Sequence, residues 1–368
     1  MSESKIVYPY VPNSVPEIKA QMLKEVGAED IMDLYEEIPE HLKFKGKLNL
    51  PEPILDEYSI RRHVEGLLNK NANCSEYLNF LGAGCAQHFV PAVCDEINGR
   101  GEFLTAYVGE PYADHGKWQA LFEYASLMGE LLDMDVLSCP LYDGMSAAAT
   151  SLRMASRVNG RKEVLLPKSI SPDMLLVIKN YLNGVPEPQL DITLVNFDAE
   201  IGLLDLKDLM FGITETVKEG EWGFGEVLFD RTSYGSREKG KEFTGTTTGL
   251  WAITTGVYLA LMGPKGMEEI GQTIMQKSQY AAKRISQIKG VKLVFNTPFF
   301  KEFVVNFDAT GKSVSEINKA LLGHKIFGGK DISNEFAEFG QSALYCVTEI
   351  MTKEDIDKLV SALEESIK

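Results

Sequence analysis

The sequence has 368 residues and a mass of 40.9 kDa, which implies two or three packed units, and its 44% apolar and 24% charged residues exclude a disordered or fibrous chain. With 37 Lys and Arg against 53 Asp and Glu, the net charge is −16, and such a surface repels phosphate backbones and anionic lipids, so no nucleic acid and no membrane is expected as a partner. The opening MSESKIVYPYVPNS has no apolar signal core and no apolar run approaches a membrane span, so a cytoplasmic location is expected.

Pro9, Pro12 and Pro16 open an extended arm of the kind that wraps a neighbour. Ser14 is placed to cap a helix through EIKAQMLKEVG, with Pro16 in its tolerated first turn, and EDIMDLYEEI reads as a second short helix. Pro51 and Pro53 make FKGKLNLPEPILD irregular, because they remove donors and bias their predecessors away from helix. Ile60, Val64, Leu67 and Leu68 recur at helical spacing between Glu57 and Asn69, and a further helix is expected over residues 87–98. Residues 117–133 form an amphipathic helix with Leu121, Tyr124, Ala125, Met128, Leu131 and Leu132 on its apolar side. Its expected partner is the small-residue helix SAAATSLRMASRVNG, stopped at Gly160.

EVLLP and DITLVNF then read as strands separated by the helix SPDMLLVIKNYLNG, the alternation of an α/β layer with a largely parallel sheet. GFGEVLFDR reads as a strand, and the cluster EFTGTTTG leads into the apolar helix LWAITTGVYLALMG and the long helix GMEEIGQTIMQKSQYAAKRISQI. The C-terminal unit alternates strands KLVF, EFVVNF and SALYCVTE with helices VSEINKALL and KEDIDKLVSALEESI. The expected division is a helical arm and linker over 1–98, a large α/β domain over 99–285 and a small α/β domain over 286–368. The cysteines, Cys74, Cys85, Cys94, Cys139 and Cys346, are odd in number, widely spaced and free of CxxC pairs. Reduced, mostly buried thiols are expected rather than a disulfide framework or a zinc site.

Four segments carry candidate chemistry. FLGAGCAQH, residues 80–88, has a lone GxG without the third glycine of a dinucleotide loop, so its glycines read as a tight turn. His88 in this segment and His115 sit in polar, turn-rich settings and are either titrating groups or structural histidines. YVGEPYADHG, residues 107–116, gathers Tyr107, Glu110 and His115 before a helix, where an acid, a base and phenols can bind or move protons; a plain polar connection is the alternative. LYDGMSAAA places Tyr142 and Ser146 at a helix start that would favour a phosphate or carboxylate, unless Ser146 is simply part of a cap. EFTGTTTG offers Thr244 and Thr246 before another helix, as an anion site or as a packed turn. No Ser, His and acid set, no HExxH and no phosphate-binding loop ending in Lys and Ser or Thr is present.

The order YVPNSVPEIKAQMLKEVGAEDIMDLYEEIP, FLGAGCAQHFVPAV, FLTAY, QALFEYASLMGELLDMDV and LYDGMSAA resembles subunit 1, the α subunit, of glycine dehydrogenase (decarboxylating), the P-protein of the glycine cleavage system. VYLALMGPKGMEEI, TPFFKEFVVNF and the segment from GHKIFGGKDI to YCVTEIMTKEDIDKLVSAL agree with it, so the likeness covers most of the chain. The resemblance implies an α/β fold of the PLP-dependent transferase-like kind, fold type I. It implies an enzyme subunit, an oxidoreductase in an α2β2 heterotetramer, with PLP held by the partner β subunit rather than covalently on this chain. The implied reaction decarboxylates glycine, or a related amino acid, and passes the aminomethyl group to the lipoyl arm of H-protein. Under that resemblance the catalytic candidates are His115, Glu110 and Tyr107. The substrate- or anion-binding candidates are Tyr142, Ser146, Arg237, Thr244, Thr246 and, more weakly, His88. No metal is implied.

Two departures stand out. Where the family reads TPYQxExSQG this chain reads VGEPYADHGKWQ, and where the family reads ATSNICTNQ it reads TGTTTGLWA, so a divergent paralogue with another substrate is expected. Between Asp208 and Phe211 a long stretch of the family's large domain is missing, whose loss from a folded sheet would leave apolar faces wet at about 25 cal/mol per Å². The undamaged flanking motifs favour a stretch left out of this sequence over a fold evolved to a smaller sheet. A non-catalytic scaffold that assembles a PLP-bearing partner is the alternative function.

Overall fold

The computed structural model describes residues 7–8, 10–46, 48–104, 115–135, 137, 140–183, 189–203 and 248–368. The chain divides into two compact units between Asn71 and Ala72, inside the region expected as arm and linker.

In the first unit, α1 (Pro16–Glu25) begins on Pro16, whose missing N–H costs nothing in a first turn. Its N-cap is Val15, without a side-chain bond. The expected cap, Ser14, instead turns back on Tyr8, accepting from its amide at 2.9 Å and donating to its carbonyl at 3.2 Å. The second expected helix is a 3₁₀ turn, Ile31–Tyr35, closed by a capping box between Asp30 and Asp33. Helix α2 (Glu57–Leu68) starts under the Asp56 carboxylate, which accepts the Ser59 amide at 2.7 Å. Neither α1 nor α2 has a buried residue; Ile60, Val64, Leu67 and Leu68 hold the expected helical spacing but stay exposed.

The second unit opens with β1 (Leu78–Asn79) and α3 (Ala92–Asn98). The helix expected from residue 87 begins only at Ala92, with Pro91 as its N-cap, because Pro91 biases the preceding Val90 away from helix. Helix α4 (His115–Leu132) follows, then α5 (Gly144–Asn159), which ends on the left-handed Gly160 (φ 74°) as the sequence indicates. Strand β2 (Glu163–Pro167), α6 (Pro172–Asn183) and β3 (Asp191–Val195) make a βαβ unit whose strands pair in parallel, Val164 against Ile192 and Leu166 against Leu194. Ala149 of α5 and Ile178 and Leu182 of α6 fill the core beneath β2. Helix α4 was expected to pack on α5; it packs instead on α7 (Gly249–Ile285), where Leu121 and Tyr124 meet Ala252 and Ile253. The helices meet closely at Gly256, where a Cβ would make ordinary contact with Tyr124 at 3.4 Å. On α4 the expected apolar residues Leu131 and Leu132 remain half exposed. Helix α7 breaks at Gly263 (φ 62°, ψ 177°) before Pro264, which cannot donate to the preceding turn.

The C-terminal part holds β4 (Lys292–Leu293), β5 (Glu302–Asn306), α8 (Val314–Gly323), β6 (Ile326–Phe327), β7 (Lys330–Asp331), β8 (Ser342–Cys346) and α9 (Lys353–Ser366). A four-stranded sheet in the order β4-β5-β8-β7, antiparallel throughout, is covered by Ile285 of α7, Ile317 and Leu321 of α8, and Ile356, Leu359 and Leu363 of α9. Strand β1 joins this region from far upstream, pairing in parallel with β6. The next residues follow it, since Cys346 N–H donates to the Phe80 carbonyl and Gly82 N–H to the Leu344 carbonyl, at 3.0 and 3.2 Å. The strand expected at GFGEVLFDR and the cluster EFTGTTTG before Thr248 lie outside the described residues.

Candidate active site

Loop 80–91 turns through Ala83 (φ 60°) and Gly84 (φ 89°), a tight turn of the kind the glycines indicated. Gly82 is needed for close approach rather than for its angle: a Cβ there would lie 2.7 Å from Leu344 Cγ and 2.8 Å from the Leu344 carbonyl oxygen. The loop is tied down at both ends. Ala83 N–H donates to the Glu302 carboxylate at 2.8 Å, and Thr348 Oγ1 donates to the Gln87 carbonyl at 2.6 Å.

Between these ties lies a row of ionisable groups. One Glu349 oxygen is 2.8 Å from His88 Nδ1 and the other accepts the Phe89 amide at 2.9 Å. Lys301, just before β5, has its ammonium 3.3 Å from His88 Nε2, and Lys277 of α7 donates to the Glu349 carbonyl at 2.5 Å. The Glu349 side chain is 14% exposed and that of His88 38%. Burial raises the Glu349 carboxyl, but the Phe89 amide and His88 outweigh it and leave it below its ordinary value. The Tyr258 phenol on α7 is pushed up by burial and then by the negative charges of Glu349 and Cys94. The arrangement can hold a proton on one face of an imidazole and present cations beside it.

At the start of α5 the Asp143 carboxylate accepts the Ser146 amide at 2.7 Å, while Ser146 Oγ accepts the Asp143 amide at 3.2 Å, a reciprocal capping box. The Asp143 carboxyl is held below its ordinary value, first by the Ser146 amide. Ser146 is buried, Tyr142 is half exposed, and Thr248, the N-cap of α7, donates its hydroxyl to the Leu141 carbonyl at 2.6 Å. That bond ties the starts of α5 and α7 together.

Of the residues singled out in the sequence, His88, Tyr142 and Ser146 are described, and His115 is placed at the first position of α4 with its side chain outside the described residues. Tyr107, Glu110, Arg237, Thr244 and Thr246 lie outside them as well. Sequence reading missed Glu349, Lys301 and Lys277, which carry no local motif, and Asp143, whose spacing to Ser146 was a legible capping signal. Among the described residues no group of three or more His, Cys, Asp or Glu could hold a metal, no helix is long and apolar enough to cross a membrane, and Cys74, Cys85, Cys94 and Cys346 are free thiols. Cys94 and Cys346 are buried; Cys74 and Cys85 are exposed, against the expectation of mostly buried thiols.

Among solved structures, the chain matches the crystal structure of glycine decarboxylase (P-protein) of the glycine cleavage system in inhibitor-bound form, with a TM-score of 0.76 and 24% identity over 98% of this chain and 100% of that one. It matches sphingosine-1-phosphate lyase of Burkholderia pseudomallei with a TM-score of 0.60 and 13% identity, over 90% and 94%. The fold is therefore that of the PLP-dependent enzymes of fold type I. In sequence it is 31% identical to the probable glycine dehydrogenase (decarboxylating) subunit 1 of Staphylothermus marinus, over 98% of each chain, and 28% identical to that of Brevibacillus brevis, over 97% of this chain and 98% of the other. The model of the family described as glycine cleavage system P-protein matches residues 9–214 and 205–363, and the chain belongs to that family. The alignment to the Staphylothermus protein runs over 466 positions against 368 residues here. A long stretch of that relative therefore has no counterpart in this chain, and the two segments of the family match meet at residues 205–214.

Proposed function

We propose that this chain is the α subunit of a cytoplasmic glycine decarboxylase complex with an α2β2 composition. In this reading it helps decarboxylate glycine, or a related amino acid, and pass the aminomethyl group to the lipoyl arm of an H-protein, while PLP is held by the β subunit. The observation that carries the reading is the likeness to glycine dehydrogenase subunit 1 through 98% of both chains.

The start of α5 supports keeping the cofactor off this chain. A helix N-terminus suits a phosphate, but here the Asp143 carboxylate already sits on the Ser146 amide. A phosphate would have to displace one negative charge with another, so the described residues do not fit the group at this place. When bound to the partner, PLP supplies the electron sink for decarboxylation. This chain's own part is to shape the shared pocket. The groups proposed to orient a carboxylate are Tyr142, Arg237, Thr244 and Thr246, and those proposed to take part in proton transfer are Tyr107, Glu110 and His115, with His115 moving a proton; Ser146 is spent in its cap.

The test combines the chain with its PLP-bearing partner, lipoylated H-protein and carboxyl-labelled glycine. Glycine-dependent release of labelled carbon dioxide is expected, and His115→Ala should lower it by about tenfold or more. No release above background by the unaltered complex would overturn the reading. A second reading, a scaffold that assembles the partner without joining the reaction, is favoured by the stretch of the relatives that has no counterpart here. It predicts full turnover in His115→Ala with assembly intact. A borohydride-bleached visible band in the isolated chain would contradict a partner-held cofactor.

A further inference from the structure

We infer that Glu349 and Lys301 are positioning residues that fix His88 as the Nδ1–H tautomer, with Nε2 as the ring's acceptor, and that the reaction proposed above uses this fixed form. The argument is one of donors and acceptors. An ionised carboxylate can only accept hydrogen bonds and an ammonium can only donate them. Glu349 lies 2.8 Å from Nδ1 and Lys301 3.3 Å from Nε2, so the ring must donate at Nδ1 and accept at Nε2 to satisfy both. The opposite tautomer would turn a lone pair toward the carboxylate and an N–H toward the ammonium. An imidazolium would also set its second N–H against the ammonium.

The surroundings reinforce the choice. Glu349 is oriented by the Phe89 amide on its other oxygen and by Lys277 of α7 on its carbonyl, so it cannot swing from the ring without losing a second bond. Glu302 of β5 is engaged with the Ala83 amide, and the Tyr258 phenol of α7 senses the Glu349 charge. The loop carrying His88 is fixed independently by the Thr348 hydroxyl on the Gln87 carbonyl. His88 therefore offers its Nε2 lone pair beside a cation, open to a hydrogen bond from Lys301 or from a substrate donor that replaces it.

The use of this tautomer in the reaction rests on the proposed function; the tautomer itself does not. The test is ¹⁵N NMR of the full-length chain labelled at its five histidines, with the His88 signals assigned by their loss in His88→Gln. The unaltered chain should show a protonated Nδ1 and a bare Nε2 at neutral pH. In Glu349→Gln the single amide oxygen is claimed by the Phe89 N–H, the NH₂ group faces Nδ1, and the proton should move to Nε2. Lys301→Met should keep the Nδ1–H form, because the carboxylate still faces Nδ1; combined with Glu349→Gln it removes the cation beside Nε2 and should make the move to Nε2 complete. A bare Nδ1 in the unaltered chain, or no change in Glu349→Gln and in its combination with Lys301→Met, would overturn the inference. In the assembled complex, Glu349→Gln should lower kcat for labelled carbon dioxide release by about tenfold or more with little change in KM. Unchanged kcat alongside a switched tautomer would remove His88 from the reaction. A complex that never releases label would sink the functional reading while leaving the tautomer result intact.

Discussion

Glu349 grips His88 from 261 positions away in sequence, and with its second oxygen it accepts the neighbouring Phe89 amide. Both contacts are charge-assisted and one partner is largely buried, so truncation strands a backbone donor as well as deleting an anion. Glu349→Ala should cost about 1.5–3 kcal/mol in urea unfolding at neutral pH. The carboxyl is held below its ordinary value of 4.5, so its contribution is present above that pH and is lost as pH falls through the lower folded value. The gap between the unaltered chain and Glu349→Ala should therefore narrow on acidification; a constant gap would contradict the clamp.

The described thiols should divide by reactivity. Burial, then the Glu302 charge, pushes the Cys346 thiol up to about 11 against a partial offset from Lys301, and burial raises Cys94. At pH 8 a thiol titrating at about 11 is ionised in roughly one molecule in a thousand, and the thiolate is the reactive form. Iodoacetamide followed by peptide mapping should label Cys74 and Cys85 rapidly and reach Cys94 and Cys346 only on unfolding. Rapid labelling of Cys346 in the folded chain would contradict its environment.

Gly82→Ala tests whether loop 80–91 must lie flat on β8. The added carbon would overlap Leu344 Cγ and the carbonyl that accepts the Gly82 amide, and backbone cannot yield as a flexible side chain does. A loss of about 1–3 kcal/mol is expected from overpacking of this kind, read as a lowered urea midpoint. The same variant should release His88 from Glu349, visible as a changed His88 NMR signal.

What could be read in advance follows the range of each interaction. The βαβ unit was legible because EVLLP, the helix after it and DITLV each carry their own periodicity, and parallel pairing follows from the crossover. Caps and breaks are also local, yet Ser14 was misread because its hydroxyl is drawn back to Tyr8, and the helix before Asn98 because Pro91 moves its start. The partner of α4 was not legible, since an apolar stripe does not name its complement; Leu121 and Tyr124 bury against Ala252 and Ile253 far along the chain. Strands β1 and β6 have two residues each and no pattern to read. At the site, His88 drew notice by residue type, while Glu349 and Lys301 acquire meaning only when the C-terminal sheet brings them beside it.

Tyr345 offers a test in which removing a polar group should not hurt. Its ring is fully buried between Phe303 and Phe307, and its hydroxyl lies beside the Gly329 backbone without making a well-formed hydrogen bond. Burial pushes the phenol far up against a smaller lowering by the Gly329 backbone. A hydroxyl held only by so weak a contact gives up its water with little compensation, whereas the ring supplies nearly all the packing. The turn at Gly329 presses on that ring, because a Cβ there would lie 2.6 Å from Tyr345 Cδ2. Tyr345→Phe keeps the ring and deletes the weakly bonded hydroxyl, so stability should be unchanged or rise by up to about 1 kcal/mol. Tyr345→Leu, which removes ring contacts as well, should lose about 2–4 kcal/mol. Thermal and urea unfolding of both variants checks the pair: a large loss in Tyr345→Phe would mean that the hydroxyl's bond to the Gly329 backbone is a strong one and that the polar atom rather than the ring anchors this part of the sheet.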